Sequence, residues 1–117
     1  MAYGRRVLSE PLRSLGFASI GPTFTAIGAD PNFNSPIRII SIKNLTNESV
    51  IFSFDGLNEH EILAAQSALV LDLTANRIGA PYGIFMAQNT IVYAKEGPDG
   101  PPASGNVYVS VYYVQGD

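Results

Sequence analysis

The sequence contains no cysteine. Disulfide bonds and thiolate metal sites therefore cannot stabilise the fold, and a cysteine nucleophile is excluded. Charged residues are also scarce, since they make up 15% of the chain against about 25% in typical soluble domains. Apolar residues make up 46%. A sparsely charged chain with this apolar content indicates that a partner covers some of the outer surface.

Long apolar runs are missing as well. No segment reaches the ~18 residues that a membrane helix needs, and the first residues, Met-Ala-Tyr-Gly-Arg-Arg, do not resemble a signal peptide. We therefore expect a soluble protein that is made without export and has no membrane partner. The net charge of −3 argues against non-specific nucleic-acid binding as the main activity. The length of 117 residues fits one domain.

Positive charge is concentrated near the N-terminus. Residues 1–20 hold Arg5, Arg6 and Arg13 against one glutamate, whereas the rest of the chain holds four basic and nine acidic residues. Pro11 blocks a helix through this segment, so we interpret residues 1–11 as an extended arm and residues 12–117 as one domain. The three arginines could dock the arm on a neighbouring copy, or the arm could be an ordinary solvated tail.

The clearest structural signal is Asn106–Val114, which β-branched and aromatic residues fill almost completely. Its period of two places Val107, Val109, Val111 and Tyr113 on one face of a strand, and Tyr108, Ser110, Tyr112 and Val114 on the other. One face is therefore apolar, whereas the other carries hydroxyl groups. We expect this strand to be central in its sheet.

Similar but shorter segments occur along the whole chain, separated by glycine, proline and asparagine. They predict strands near residues 12–20, 23–27, 37–43, 49–55, 60–63, 67–73, 82–86 and 90–95. Residues 37–55 and 82–95 are interpreted as β-hairpins, and residues 28–36, 74–81 and 96–105 as loops. This pattern predicts an all-β fold, an antiparallel β-sandwich or jelly roll of about eight short strands.

The sequence offers little evidence for a catalytic or metal-binding site. His60 is the only histidine, and on a strand Glu59 and Glu61 would point to the face opposite from it, so the three do not form a metal site. A charged edge strand explains these residues better. Asp55 and Asp72 fit turn and capping roles better than a paired acid and base. No nucleophile motif or phosphate-binding loop occurs, so we predict no enzymatic activity, no metal and no cofactor.

The tyrosines of the final strand are stronger candidates for functional residues. Tyr108 and Tyr112 share a face, and tyrosine is enriched at interfaces because its ring is apolar and its hydroxyl is polar. These two residues could belong to a subunit interface, to a sugar-binding surface, or to the outer layer of the core. The sequence favours core and interface roles.

Several segments taken together resemble a group of small virion structural proteins of tailed bacteriophages. The segments that carry the resemblance span most of the chain and are residues 12–20, 38–47, 52–56, 71–76 and 107–113. The resemblance implies a β-sandwich protein that forms symmetric oligomers and either decorates the capsid or joins head to tail. It implies no catalytic residues.

The resemblance and the composition together suggest a function. We expect a non-enzymatic virion protein that is assembled in the host cytoplasm, forms a homo-oligomer and stabilises the particle as a capsid decoration or cement protein. Its partners would then be other copies of itself and other virion proteins, either the major capsid protein or neck and tail proteins. A neck or tail adaptor is the first alternative, and a carbohydrate-binding module for host attachment is the second.

Overall fold

A computed structural model describes residues 6–73 and 86–115 of the chain, and within these residues two antiparallel sheets contain all the strands. The strands are β1 (Arg6–Ser9), β2 (Arg13–Gly16), β3 (Thr25–Ala26), β4 (Ile39–Asn44), β5 (Val50–Ser53), β6 (Glu61–Leu63), β7 (Ser67–Asp72), β8 (Tyr93–Glu96) and β9 (Asn106–Gln115). The predicted all-β sandwich is confirmed. A three-residue 3₁₀ turn is the only helix in the described part of the chain, so no helix there could cross a membrane.

The two sheets are built from nested antiparallel pairs. Strand β9 pairs with β1 and β2, β8 with β3, β7 with β4, and β6 with β5. Two further pairings, β4 with β9 and β5 with β8, complete a five-stranded sheet and a four-stranded sheet. A long hairpin folded over on itself in this way has the connectivity of a jelly roll.

The core lies between the sheets and is made by the alternating inward residues of both. Strand β9 contributes three fully buried valines, as its period predicts, and it pairs on both sides, which confirms its central position. The other strands and loops supply further buried apolar side chains, which are Ile20, Ile27, Phe33, Ile37, Ile40, Ile42, Val50, Phe52, Val92 and Ala94.

The edge strand next to β9 is interrupted by a bulge. Ser9 lies opposite Tyr112 and Arg13 lies opposite Val109, so four steps along this strand match three steps along β9. The extra residue alters the inward and outward alternation. As a result Glu10 and Arg13 are both buried, while Pro11 and Leu12 between them are both exposed.

The two strands predicted within residues 37–55 are present, but the prediction that they pair as a hairpin is wrong. Strand β4 belongs to the five-stranded sheet and β5 belongs to the four-stranded sheet, so the turn between them crosses from one sheet to the other. Alternation and turn residues reveal that the chain reverses, but they do not reveal which sheet the next strand joins. The predicted strand over residues 12–20 is also too long, because β2 ends at Gly16 and the 3₁₀ turn Phe17–Ser19 follows.

Two further strand predictions are confirmed, and two predicted segments lie wholly or mostly outside the described residues. Strand β6 lies at the edge of its sheet, and β7 matches the predicted strand over residues 67–73. The predicted loop over residues 74–81 and most of the strand over residues 82–86 lie outside the described part of the chain. Met86, at the boundary, forms an isolated bridge with Ile37.

Candidate interface on the outer face of the five-stranded sheet

The structure places both predicted tyrosines on the outer face of the five-stranded sheet. Tyr112 lies between Ser9 on β1 and Ile39 on β4. Tyr108 lies in the same way between Ser14 on β2 and Lys43 on β4. Both side chains are half-buried by these cross-strand neighbours. The tyrosines therefore form part of a continuous surface and do not stand out from it.

A row of small side chains separates the two tyrosines. Ser110 lies opposite Ser41, which lies opposite Val70 on β7. Four residues along a strand separate Tyr108 from Tyr112, which corresponds to about 14 Å. Two rings at that spacing do not stack on one sugar ring. The arrangement fits a broad contact surface better than a single saccharide site.

The chemistry of this outer face is unusual for a solvent-exposed sheet. Among the outward residues of its described strands only Lys43 and Asp72 are charged. Three large apolar side chains on the face or along its edge are well exposed, which are Val7, Leu12 and Val70. The other outward side chains are hydroxyl, aromatic, aliphatic or amide groups. A surface with few charges, exposed apolar groups and tyrosines has the composition of an interface core.

Arg13, which the sequence assigned to a neighbour-binding arm, is instead engaged within its own chain. Its Nη2 atom lies 2.8 Å from Oε1 of Glu10 and donates to the carbonyl of Asn32 at 2.7 Å. Its Nε atom donates to the carbonyl of Asp30 at 3.1 Å, and its guanidinium lies over the ring of Phe33. The side chain is buried, so it is not available to a partner in this conformation.

Glu10 completes this buried cluster. Its two carboxylate oxygens accept the backbone N–H of Asn34 at 3.2 and 3.0 Å. Of the buried side-chain polar atoms in the described part of the chain, Nη1 of Arg13 alone has no hydrogen-bond partner. The cluster fastens the edge of the five-stranded sheet to the loop of residues 28–36. The cluster therefore stabilises the fold.

The other two arginines of the predicted arm give less information. Arg5 lies outside the described residues, so its predicted role at an interface stays a prediction. Arg6 begins β1 and pairs with Gln115. Residues 6–9 of the predicted extended arm therefore belong to the sheet.

The residues around His60 form a hydrogen-bonded turn. Asp55 accepts backbone N–H groups of Asn58 and Leu57, and these bonds hold the pKa of its carboxyl well below the usual range. Nδ1 of His60 accepts the backbone N–H of Phe54 at 3.0 Å, and the two rings stack. No group of three metal-ligating side chains occurs within residues 6–73 and 86–115.

Asp72 has a different position. It lies on the outer face of β7, directly opposite Ile39. It is therefore one of the two charges among the described residues of the candidate interface, where the sequence suggested only a turn or capping role.

A second exposed surface, on the four-stranded sheet, was not recognised in the sequence. Ile51 on β5 lies opposite Lys95 on β8 and Ile62 on β6. Nζ of Lys95 lies 2.7 Å from Oε2 of Glu59 and 4.7 Å from the centre of the Phe24 ring. The alternation of β5 signalled an outward Ile51, but only the pairing of three strands shows that Ile51 and Ile62 are neighbours.

Comparison with known proteins does not identify a relative. The chain matches no protein family, no curated protein and no solved structure.

Proposed function

We propose that this chain is a non-enzymatic structural protein that acts by adhesion. It self-associates and docks on a larger assembly, as a capsid decoration or cement protein of a tailed bacteriophage would. The observation that carries the proposal is the outer face of the five-stranded sheet, with its exposed apolar side chains, its two tyrosines and only two charges among the described outward residues. Such a face gains free energy when a partner removes it from water.

The association with a virus comes from the sequence resemblance described above. The jelly-roll connectivity agrees with it, because viral capsid and lectin domains use that architecture. This is an analogy at the level of the fold, which many unrelated functions share.

A substitution on the outer face tests the adhesion. Val70 is 61% exposed at the centre of β7, so Val70→Lys places a charge on the candidate interface without changing the core. We expect the variant to fold normally and to self-associate at least about tenfold more weakly than the original chain, measured by sedimentation across a range of concentrations. Leu57→Lys is the matched control, because Leu57 is 84% exposed in a turn away from this face.

Two outcomes would contradict adhesion through this face. One is an original chain that stays monomeric at high concentration, and the other is a Val70→Lys chain that associates as strongly as the Leu57→Lys control.

The location in a virion requires imaging. Gold-labelled antibodies against the protein should mark phage particles in electron micrographs of the source culture. Label over the whole shell supports a decoration protein, whereas label at one vertex or along the tail supports a neck or tail adaptor. Unlabelled particles would contradict the virion assignment.

The Tyr108 and Tyr112 surface also permits a test of the carbohydrate-binding alternative. A glycan-array signal that is lost in Tyr112→Ala would favour that function over adhesion between proteins.

A further inference from the structure

One edge of the five-stranded sheet has no partner strand among the described residues. Strand β7 pairs with β4 on one side only. The N–H of Leu73 donates to the carbonyl of Arg38 at 2.7 Å, so every second residue of β7 counted back from Leu73 directs its backbone groups toward β4. Ala68 and Val70 lie between those residues and are both exposed. Their backbone N–H and C=O groups therefore point toward the open edge.

The other edges of the described sheets carry features that discourage pairing with another chain. The opposite edge of the five-stranded sheet has a bulge and Pro11 between β1 and β2. In the four-stranded sheet, β3 is two residues long, and β6 is three residues long and contains Glu61. Strand β7 has six residues, a register without a bulge, no proline and one charge at its last residue. An edge of this kind can readily accept another strand.

We infer that β7 pairs antiparallel with β7 of a second copy about a two-fold axis, so that Val70 lies opposite Val70. Hydrogen bonding requires open-edge residues to lie opposite each other, and a register centred on Val70 overlaps residues 68–72 of both copies. The N–H and C=O of each Val70 then bond to those of the other. The inference rests on the proposed self-association and gives it a defined geometry.

Charge complementarity supports a second copy as the occupant of this edge. Lys43 lies opposite Ala68, which is four residues, or about 14 Å, from Asp72 of its own chain. In the paired copies Ala68 lies opposite Asp72 of the second copy. Lys43 and that aspartate then share one row of the outer face, about 10 Å apart at the backbone, with only the small Ala68 between them. The two-fold axis repeats the pair, so opposite charges meet twice across the junction.

Val70→Pro tests the backbone pairing. Proline is tolerated where an edge strand points its N–H away from the sheet, so the variant is expected to fold, but it lacks the N–H that bonds to the second copy. We expect it to self-associate at least about tenfold more weakly than the original chain, measured by sedimentation across a range of concentrations. Val70→Thr is the matched control, because it keeps both the β-branched shape and the N–H. Equal association of the two variants would overturn the inference.

Amide hydrogen exchange tests the same contact without a substitution. The N–H of Val70 faces the open edge, whereas the N–H of Leu69 faces β4. When the concentration is raised until the chain associates, exchange at Val70 should slow at least about tenfold, and Leu69 should be protected throughout. Unchanged exchange at Val70 in the associated sample would overturn the inference. Slow exchange at Val70 in a monomeric sample would also overturn it, because the edge would then be covered within one chain.

A charge exchange tests the register. Lys43→Asp and Asp72→Lys should each weaken self-association about tenfold, and the double variant should restore most of it. Asp72→Lys raises the formal net charge from −3 by two, to −1, so a general charge effect would strengthen association instead. Lys43→Asp cannot replace a contact that Asp72 makes within its own chain, so restoration reports the contact between copies. A double variant as weak as the single variants would overturn the register centred on Val70.

The two proposals can fail separately. Val7 is 58% exposed on β1, at the edge opposite β7, so Val7→Lys places a charge on the candidate interface far from the β7 junction. Association that is lost in Val7→Lys and unchanged in Val70→Pro would contradict edge pairing and leave adhesion through the outer face intact. Association that is lost in Val70→Pro and unchanged in Val7→Lys would do the opposite.

Discussion

Glu10 and Arg13 attach the edge of the five-stranded sheet to the loop of residues 28–36. A buried pair of charges is costly to desolvate, and it persists because other groups also bond to the charges. Here the backbone of Asn34 bonds to the carboxylate, and two backbone carbonyls bond to the guanidinium. The bulge in the edge strand makes this possible, because it turns both side chains inward.

Among the glycines of the described residues, Gly105 has the most restrictive backbone geometry. Its φ is +88°, and a Cβ atom placed there would lie 2.1 Å from the carbonyl oxygen of Leu45. We expect Gly105→Ala to lower the free energy of unfolding by about 3 kcal/mol or more, because conformational strain and a backbone clash act together. Urea denaturation measures the change.

Gly100→Ala is the matched control for that prediction. Gly100 has a similar φ of +96°, but apart from its two chain neighbours no residue has a heavy atom within 4 Å of the position of its Cβ. The free energy of unfolding should fall by only about 1 kcal/mol in Gly100→Ala, because backbone strain acts there without a clash. A loss in Gly105→Ala no greater than in the control would mean that the clash with Leu45 is relieved by a small movement.

At the scale of elements, the turn between β4 and β5 is fixed by one side chain. Asn44 is fully buried, and its Nδ2 donates to the carbonyls of Glu48, Leu63 and Ala64. Its Oδ1 accepts both the N–H and the hydroxyl of Thr46. The amide thus joins the crossing between the two sheets to the turn between β6 and β7.

Asn44→Asp tests this junction with almost no change of shape. The substitution replaces a donor by a carboxylate oxygen that faces three carbonyls, so we expect the free energy of unfolding to fall by about 3–5 kcal/mol at neutral pH. Asn47→Asp is the control. Oδ1 of Asn47 accepts hydrogen bonds from the N–H groups of Ala103 and Ser104. A carboxylate preserves those bonds, and its effect should stay within about 0.5 kcal/mol. Equal effects of the two substitutions, measured by urea denaturation, would contradict this role of Asn44.

At the scale of the whole molecule, the nested pairing joins parts of the chain that are far apart in sequence. Strands β1 and β2 can pair only with β9, near the opposite end of the chain, and β3 can pair only after β8 has been brought close to it. Loop closure over such distances costs entropy before any contact compensates for it. The fold is therefore expected to form slowly for its size.

Stopped-flow refolding tests this expectation. Tyrosine fluorescence should recover in milliseconds to seconds, the range typical of β-sandwiches dominated by non-local contacts. Recovery within microseconds would indicate that local hairpins, and not the nested pairs, control the rate. A chain in which Ile62→Thr weakens only the edge strand β6 is a useful control, because it leaves the β9 pairings unchanged.

The sequence by itself determined the all-β class, the central position of β9 and the two faces of that strand. These features depend on residue type and a period of two, which are local properties that side-chain packing only reinforces. The turn of Asp55–Asn58 was predictable for the same reason, because its hydrogen bonds join residues close in the chain.

Only the tertiary structure decided which strands share a sheet, and with that the location of the candidate surfaces. Strands β4 and β5 are adjacent in sequence and lie in different sheets, whereas Ile51 and Ile62 come together through pairing of β5 with β6. Arg13 carries no local signal of burial, since a bulge of one extra residue in the edge strand and a loop seventeen residues away create its environment. Pairing partners and buried charges depend on contacts between distant segments, and local sequence patterns do not encode those contacts.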